Sequence, residues 1–371
     1  MRKIALLLFM VFMLQLVSCT SGSKVGITGK GIIHEPEFGG IYIKMTIDEF
    51  NAVGFEYGDS VDVSFSNGYE IKDIPYYNGY YVDPGDVLLV AYPGYPYIKI
   101  TCNYGDDFFV TAGVGENDTA DVTLNERAKY LDTQKARDIH YKDDRALYPN
   151  DTVFANFRSC DTGNLGHGRL FRSASPCDNQ HSRAGYVDKL SESAGIKYIL
   201  DLADNKEKVE SYMSAEDFDS PYFKRLYDDG CVGLLALSAN YSSDDFRSSL
   251  GQGLIDMLNH EGPYLVHCTE GKDRTGFVVM LLEALTGATY EEIVEDYMIT
   301  YFNYYGIARF NDEDRYQLIK NKNIDKMIEF LTGTVTDDYN SLDLTHYAEE
   351  YLSKAGLTAQ QIEQLKLVLT K

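Results

Sequence analysis

The stretch His267-Cys268-Thr269-Glu270-Gly271-Lys272-Asp273-Arg274-Thr275-Gly276 decides the fold. It follows the apolar run Tyr264-Leu265-Val266 and opens a long apolar stretch from Phe277 to Leu285. That order predicts a strand, a tight loop and the start of a buried helix. The first N–H groups of a helix have no partner within it, and the helix dipole favours negative charge beside them. Cys268 and Arg274 bracket the turn that meets this field. The same field favours the thiolate of Cys268, and Arg274 offers a planar fork that matches two phosphate oxygens. Gly271 lets the backbone bend toward a ligand, and Gly276 lets the helix start close to it. A Walker-type nucleotide loop is excluded, because Val266 stands where its first glycine is needed and Asp273 follows Lys272 in place of Ser or Thr.

The pattern HCxxGxxR[ST]G resembles the signature loop of the cysteine-dependent phosphatases, the protein-tyrosine and dual-specificity superfamily. The fuller form HCTEGKDRTG is most similar to secreted bacterial tyrosine phosphatases that carry Lys-Asp before the arginine. The resemblance implies an α/β cysteine-phosphatase fold, a central and mostly parallel sheet flanked by helices, working without metal or cofactor. It implies that Cys268 attacks phosphorus and forms a cysteinyl-phosphate that water later hydrolyses. Arg274 and the loop Thr269, Glu270, Gly271, Lys272, Thr275 and Gly276 would bind the phosphoryl oxygens. Thr275 would also hydrogen-bond the departing thiolate, and His267 would support the loop from behind. The general acid is expected to be Asp273, with Asp228, Asp229, Asp244 and Asp245 on an upstream loop as alternatives. Lys272 is shared with tensin-like lipid phosphatases, where it suits substrates bearing several phosphates. Phosphoinositides and inositol phosphates therefore stand beside phosphorylated protein as expected partners. A catalytically quiet phospho-ligand binding module is the rival of another class, disfavoured by the presence of both Cys268 and Arg274.

The resemblance extends along the chain. Asn156-Phe157-Arg158 and Gly168-Arg169-Leu170-Phe171-Arg172-Ser173 are similar to the NFR…GRL(Y/F)RS segment of the same bacterial branch, and Arg172 is expected at the active-site rim as a substrate-binding residue. A helix from about 183 to 193, ending at Gly195, leads into the apolar run Lys197–Leu202 expected as a buried parallel strand. The family has arginine soon after this Asp-Leu; here Ala203-Asp204 follow, and Asp201 and Asp204 are given no role. Ser242-Ser243 before Asp244-Asp245 read as a helix start, and Thr289 with Glu292 as a capping box for a helix from Tyr290 to about Tyr304. Further helices are expected at 313–331, 343–354 and 359–370. The catalytic domain is placed at 151–371.

At the other end, Arg2-Lys3 precede apolar residues from Ile4 to Leu14, then Leu16-Val17-Ser18-Cys19. A basic start, a short apolar core and small residues at the cut read as a secretory signal over residues 1–18. The Leu-Val-Ser-Cys ending resembles the bacterial lipoprotein signal, which implies lipidation of Cys19 and a place in the bacterial cell envelope, membrane-anchored and facing outside the cytoplasm. The full chain of 371 residues carries a formal net charge of −23. Such a surface repels nucleic acid and anionic membrane, so positive potential must be local to the loop.

Residues 25–115 have a different character. The hairpin signals Ser66-Asn67-Gly68 and Asn78-Gly79 separate runs rich in Val, Ile and Tyr, which predicts a small β domain, a barrel or a sandwich. The polar stretch 116–150 reads as a linker with one helix. Export would permit disulfides among Cys102, Cys160, Cys177 and Cys231, with no pairing deducible from spacing.

Overall fold

A computed structural model describes residues 25–37, 39–336 and 338–371. The signal segment and Cys19 lie outside the described residues. Among the described residues no helix is long and apolar enough to cross a membrane.

Seven strands form the N-terminal module: β1 (Gly26–Glu35), β2 (Gly40–Ile43), β3 (Ser60–Phe65), β4 (Glu70–Tyr77), β5 (Val87–Val90), β6 (Ile98–Cys102) and β7 (Thr119–Glu126). They close a barrel in the order β1-β2-β6-β5-β4-β3-β7. Alternation makes it possible: Val61, Val63 and Phe65 of β3 point inward, as do Ile98 and Ile100 of β6, onto Phe50 and Phe55. Two sequence expectations are corrected here. The closing strand β7 pairs with both β1 and β3, so the barrel runs past 115 into the stretch read as linker. Its inward residues Ala120 and Val122 are small and few, which left no run long enough to read as a strand. Asn78-Gly79 does not make a hairpin either, because β4 pairs with β5 in parallel and the chain must cross over between them.

The expected helix of the linker is Leu131–Arg137. It is held on both sides. The Tyr130 N–H donates to the Gly58 carbonyl and Gln134 donates to Asn78 of the barrel, while Arg137 Nη2 donates to the Lys322 carbonyl at 3.0 Å.

The second module is an α/β layer. Strands β8 (Arg158–Ser159), β9 (Leu170–Ser173), β10 (Tyr198–Asp201), β11 (Val232–Leu234) and β12 (Tyr264–His267) lie in the order β11-β10-β12-β9-β8. The first four are mutually parallel, and only β8 runs antiparallel, on the β9 edge. Central β12 is buried at every residue, as expected for a strand covered on both faces. One side of the sheet packs on the helices Asp244–Met257 and Asp273–Leu285, the other on Ala184–Ala194 and Pro221–Asp228. The helix expected over 313–331 is two, Glu313–Lys322 and Ile324–Thr332. They break at Asn323, whose side chain turns inward and donates to the Tyr301 hydroxyl at 2.9 Å. All five described cysteines are free thiols.

Candidate active site

Parallel sheets bind ligands beyond the carboxyl ends of their strands, and Cys268 sits there, directly after central β12. It is 3% exposed. The helix Asp273–Leu285 starts five residues later with no side-chain cap, so its first N–H groups are free for an anion.

The loop is shaped from behind by its carbonyls. The Cys268 carbonyl faces His267 Nδ1 at 3.3 Å, and the Thr269 carbonyl accepts from the Ser175 N–H at 3.1 Å. The Glu270 carbonyl accepts from the Tyr304 hydroxyl at 2.7 Å. The Gly271 carbonyl accepts from Arg172 Nη2 at 3.0 Å and from Asn156 Nδ2 at 3.3 Å. In a trans peptide the N–H points opposite to the C=O. Holding successive carbonyls outward therefore turns the amides inward, toward a shared anion site.

Gly271 has φ +66, and a Cβ there would lie 2.0 Å from the Ser173 carbonyl oxygen. Glycine is required twice, by conformation and by close approach to β9. Gly276 is required for a different reason than the expected approach to ligand: its Cβ would lie 2.5 Å from the Tyr297 ring, so it admits the helix Tyr290–Tyr305.

Arg172 is corrected outright. It is not at the rim but 1% exposed beneath the loop, where Nη1 pairs with Asp296 at 2.6 Å while Nη2 holds Gly271. Asp296 also pairs with Arg158 at 2.8 Å. Burial pushes Asp296 up, but Arg158 and Arg172 outweigh it and hold its carboxyl below the usual range.

Arg274 donates through Nη1 to the Leu237 carbonyl at 3.0 Å and through Nη2 toward Thr269 Oγ1 at 3.4 Å. Its fork is thereby set across the mouth of the loop. Thr275 is buried with its hydroxyl unpartnered. Lys272 does not reach outward for a second phosphate. Its ammonium pairs with Glu270 at 2.9 Å, lies 3.8 Å from Asp273, and is 18% exposed. Burial pulls Lys272 down, yet Asp273 and Glu270 more than offset this and hold it well above the ordinary lysine value. Glu270 in turn accepts from the Tyr141 hydroxyl at 2.8 Å.

Asp273 opens the loop helix and is half exposed. The upstream aspartates are otherwise engaged. Asp228 pairs with Lys224, Asp229 caps the C-terminus of its helix, and Asp244 and Asp245 occupy a helical first turn after the Ser243 cap.

Beneath the loop, one row of the sheet aligns Asp201, His267 and Ser173. Burial pulls the His267 imidazole down to about 4, so it is neutral near pH 7 and Nδ1–H faces the Cys268 carbonyl. Its Nε2 lies 3.8 Å from Asp201 Oδ2. Asp201 accepts the Ala203 and Asp204 N–H groups through Oδ1, and burial raises it to about 6. Asp204 is raised to about 6 by burial and by Asp201. With Cys177 these two form a buried group whose ligand-type atoms lie within 4.8 Å of one another.

Sequence reasoning missed Tyr141, Asn156, Asp296 and Tyr304 as shapers of the loop. Asn156, of the Asn156-Phe157-Arg158 segment, is wholly buried with φ +49. Nothing in the sequence marked the others.

The sequence pattern described as the tyrosine phosphatase family matches residues 154–371, more than half of the chain. A tyrosine-protein phosphatase of Nostoc commune is 27% identical over 201 residues, which span 47% of this chain and 66% of that protein, just under two thirds of its length. Among solved structures, the core catalytic domain of the PP-IP phosphatase SIW14 from S. cerevisiae, in complex with citrate, is 19% identical. That likeness covers 50% of this chain and 93% of that one, with a TM-score of 0.28. TpbA of P. aeruginosa is 16% identical over 56% of this chain and 92% of its own, with a TM-score of 0.22. The chain belongs to the tyrosine phosphatase family.

Proposed function

We propose that this protein is an exported phosphomonoester hydrolase that works through a cysteinyl-phosphate on Cys268, with phosphotyrosine protein as its substrate class. The observation that carries the reading is the carbonyl-out, amide-in loop around a cysteine at a helix N-terminus. Cys268 attacks phosphorus in line. The loop amides and Arg274 stabilise charge on the three equatorial oxygens, the contribution that dominates phosphoryl transfer. Asp273 protonates the leaving oxygen, and Thr275 stabilises the thiolate released in the second step. The relative from Nostoc commune carries the name tyrosine-protein phosphatase, which agrees with this substrate class. Inositol phosphates are the second reading, prompted by Lys272. The ion pair of Lys272 with Glu270 disfavours it, because the charge is already matched inside the loop. Export and lipid anchoring rest on residues 1–19 alone.

The test is phosphate release from a phosphotyrosine peptide, a phosphoserine peptide, a phosphoinositide and inositol hexakisphosphate, with Cys268→Ser as the control. Turnover that vanishes in the variant, with phosphate still bound, is expected. Activity that survives the substitution would end the thiol mechanism. For the anchor, Cys19→Ser should move the protein from the membrane to the soluble fraction.

A further inference from the structure

The barrel is not remote from the active site. A cavity of about 910 Å³ separates the two modules, with Tyr80, Tyr81, Tyr95 and Tyr104 of the barrel facing Tyr241 and Phe330 of the catalytic module. Asp273 lines it as well. A second cavity, of about 390 Å³, holds Arg274, Leu237 and Lys208. Tyr104 and Ala239 line both, so the two spaces meet there. Consecutive residues of a helix diverge by about 100°, which is how Asp273 comes to face one cavity and Arg274 the other.

Tyr104 is placed at some expense. Its φ is +49, a left-handed conformation unfavourable for a bulky residue, and it is 66% exposed, so packing does not explain it. The turn that carries it is braced. Asn103 Nδ2 donates to the Val82 carbonyl at 2.7 Å, the Asn103 N–H to Asp86 at 2.9 Å, and the Gly85 N–H to Asn103 at 2.7 Å. The tyrosines behind it are fixed too. Tyr80 and Tyr95 share a hydrogen bond of 2.8 Å, and wholly buried Lys99, paired with Glu35, reaches the Tyr95 hydroxyl at 3.2 Å.

We propose that this tyrosine face is part of the substrate site, and that the polypeptide flanking the phosphorylated residue runs past Tyr104 into the inter-module cleft. The proposal rests on the phosphatase reading and deepens it. Charge selects the occupant. The cleft sets Arg137, Lys322 and Lys326 against Asp83, Asp273 and Glu329, which leaves no surplus of cations for a polyphosphate. The chain around it carries a net −23, which repels further phosphate groups. Rigid tyrosine rings instead offer flat apolar faces with hydroxyls at their tips, suited to peptide backbone and apolar side chains.

The experiment compares a phosphotyrosine peptide of about ten residues, long enough in extended form to cross both cavities, with p-nitrophenyl phosphate. Both are assayed on the full chain and on Tyr104→Ala, Tyr104→Phe and Val110→Ala, the last an exposed barrel residue outside the cleft. Tyr104→Ala should lower kcat/KM for the peptide about tenfold more than for the small ester, mainly through KM, as expected of one aromatic anchor. Tyr104→Phe should restore most of it, and Val110→Ala should match the wild type. Equal losses on both substrates, or none, would overturn the cleft proposal while leaving the phosphatase reading intact. Absence of turnover of both substrates by the wild type would instead defeat that underlying reading. Micromolar inhibition by inositol hexakisphosphate that is relieved in Lys322→Ala would assign the cleft to a polyanion and overturn the proposal.

Discussion

Arg172 and Gly271 meet at 3.0 Å, guanidinium to carbonyl, with the arginine wholly enclosed and its other nitrogen on Asp296. One planar fork thus spans the helix Tyr290–Tyr305 and the point where the loop turns through a positive φ. A lysine cannot hold both partners in that geometry. Arg172→Lys should lower kcat roughly 100-fold, the cost of a displacement of about 1 Å in a reacting geometry. Arg172→Met should also lower stability by about 3–5 kcal/mol, since it strips Asp296 of one of its two cations. Steady-state kinetics and urea melts check the pair.

The two loop glycines separate shape from packing. Gly271→Ala forces a Cβ onto the Ser173 carbonyl at a positive φ, and activity should fall at least ~100-fold through the displaced amides. Gly276→Ala presses on the Tyr297 ring and should cost about 1–3 kcal/mol of stability by overpacking. A Gly276→Ala enzyme with unchanged melting temperature would show that Tyr297 yields freely.

Asp273→Asn should cut kcat on phenyl phosphate, a poor leaving group, by about 100-fold or more and abolish the basic limb of its pH–rate profile. A basic limb that persists unchanged would move the proton donor elsewhere. The aspartates at 228, 229, 244 and 245 are poor successors, engaged as they are in helix ends.

Asp201 supplies a pH signature of stability. Its folded value near 6 stands above the ordinary carboxyl value, so the folded state binds more protons than the unfolded one between about pH 4 and 6. Stability from this group is full at low pH and lost as pH rises through that window. His267, held near 4, acts in the opposite sense between about 4 and 6.5. Asp201→Asn keeps an oxygen for the Ala203 and Asp204 N–H groups and removes the carboxylate. Its melting temperature relative to wild type should therefore climb between pH 4.5 and 7. A constant difference would mean that Asp201 titrates normally.

The ten residues from His267 were enough to read a strand, a tight loop and a helix, because their chemistry is local: a thiol, a fork and two glycines at fixed offsets. The capping box at Thr289 was legible for the same reason, since Glu292 lies one turn away. What sequence could not reveal was contact across distance. Arg172 reads as a surface residue until Asp296, 124 positions on, supplies its partner. Tyr141 gave no sign that it reaches Glu270, 129 positions away. β7 was hidden because a closing strand with small inward residues looks polar unless its neighbours are known.

The clamps on the loop carbonyls come from widely separated parts of the chain: Asn156, Arg172, Ser175 and, last, Tyr304 on the helix Tyr290–Tyr305. A nascent chain ending before that helix would contain Cys268, Arg274, both glycines and three of the clamps, yet it would lack Tyr304 on the Glu270 carbonyl and Asp296 behind Arg172. The loop geometry is therefore complete only once that helix has docked. Turnover followed during refolding should then appear only on arrival of that helix, with the Cys268 thiol idle until the architecture around it is complete.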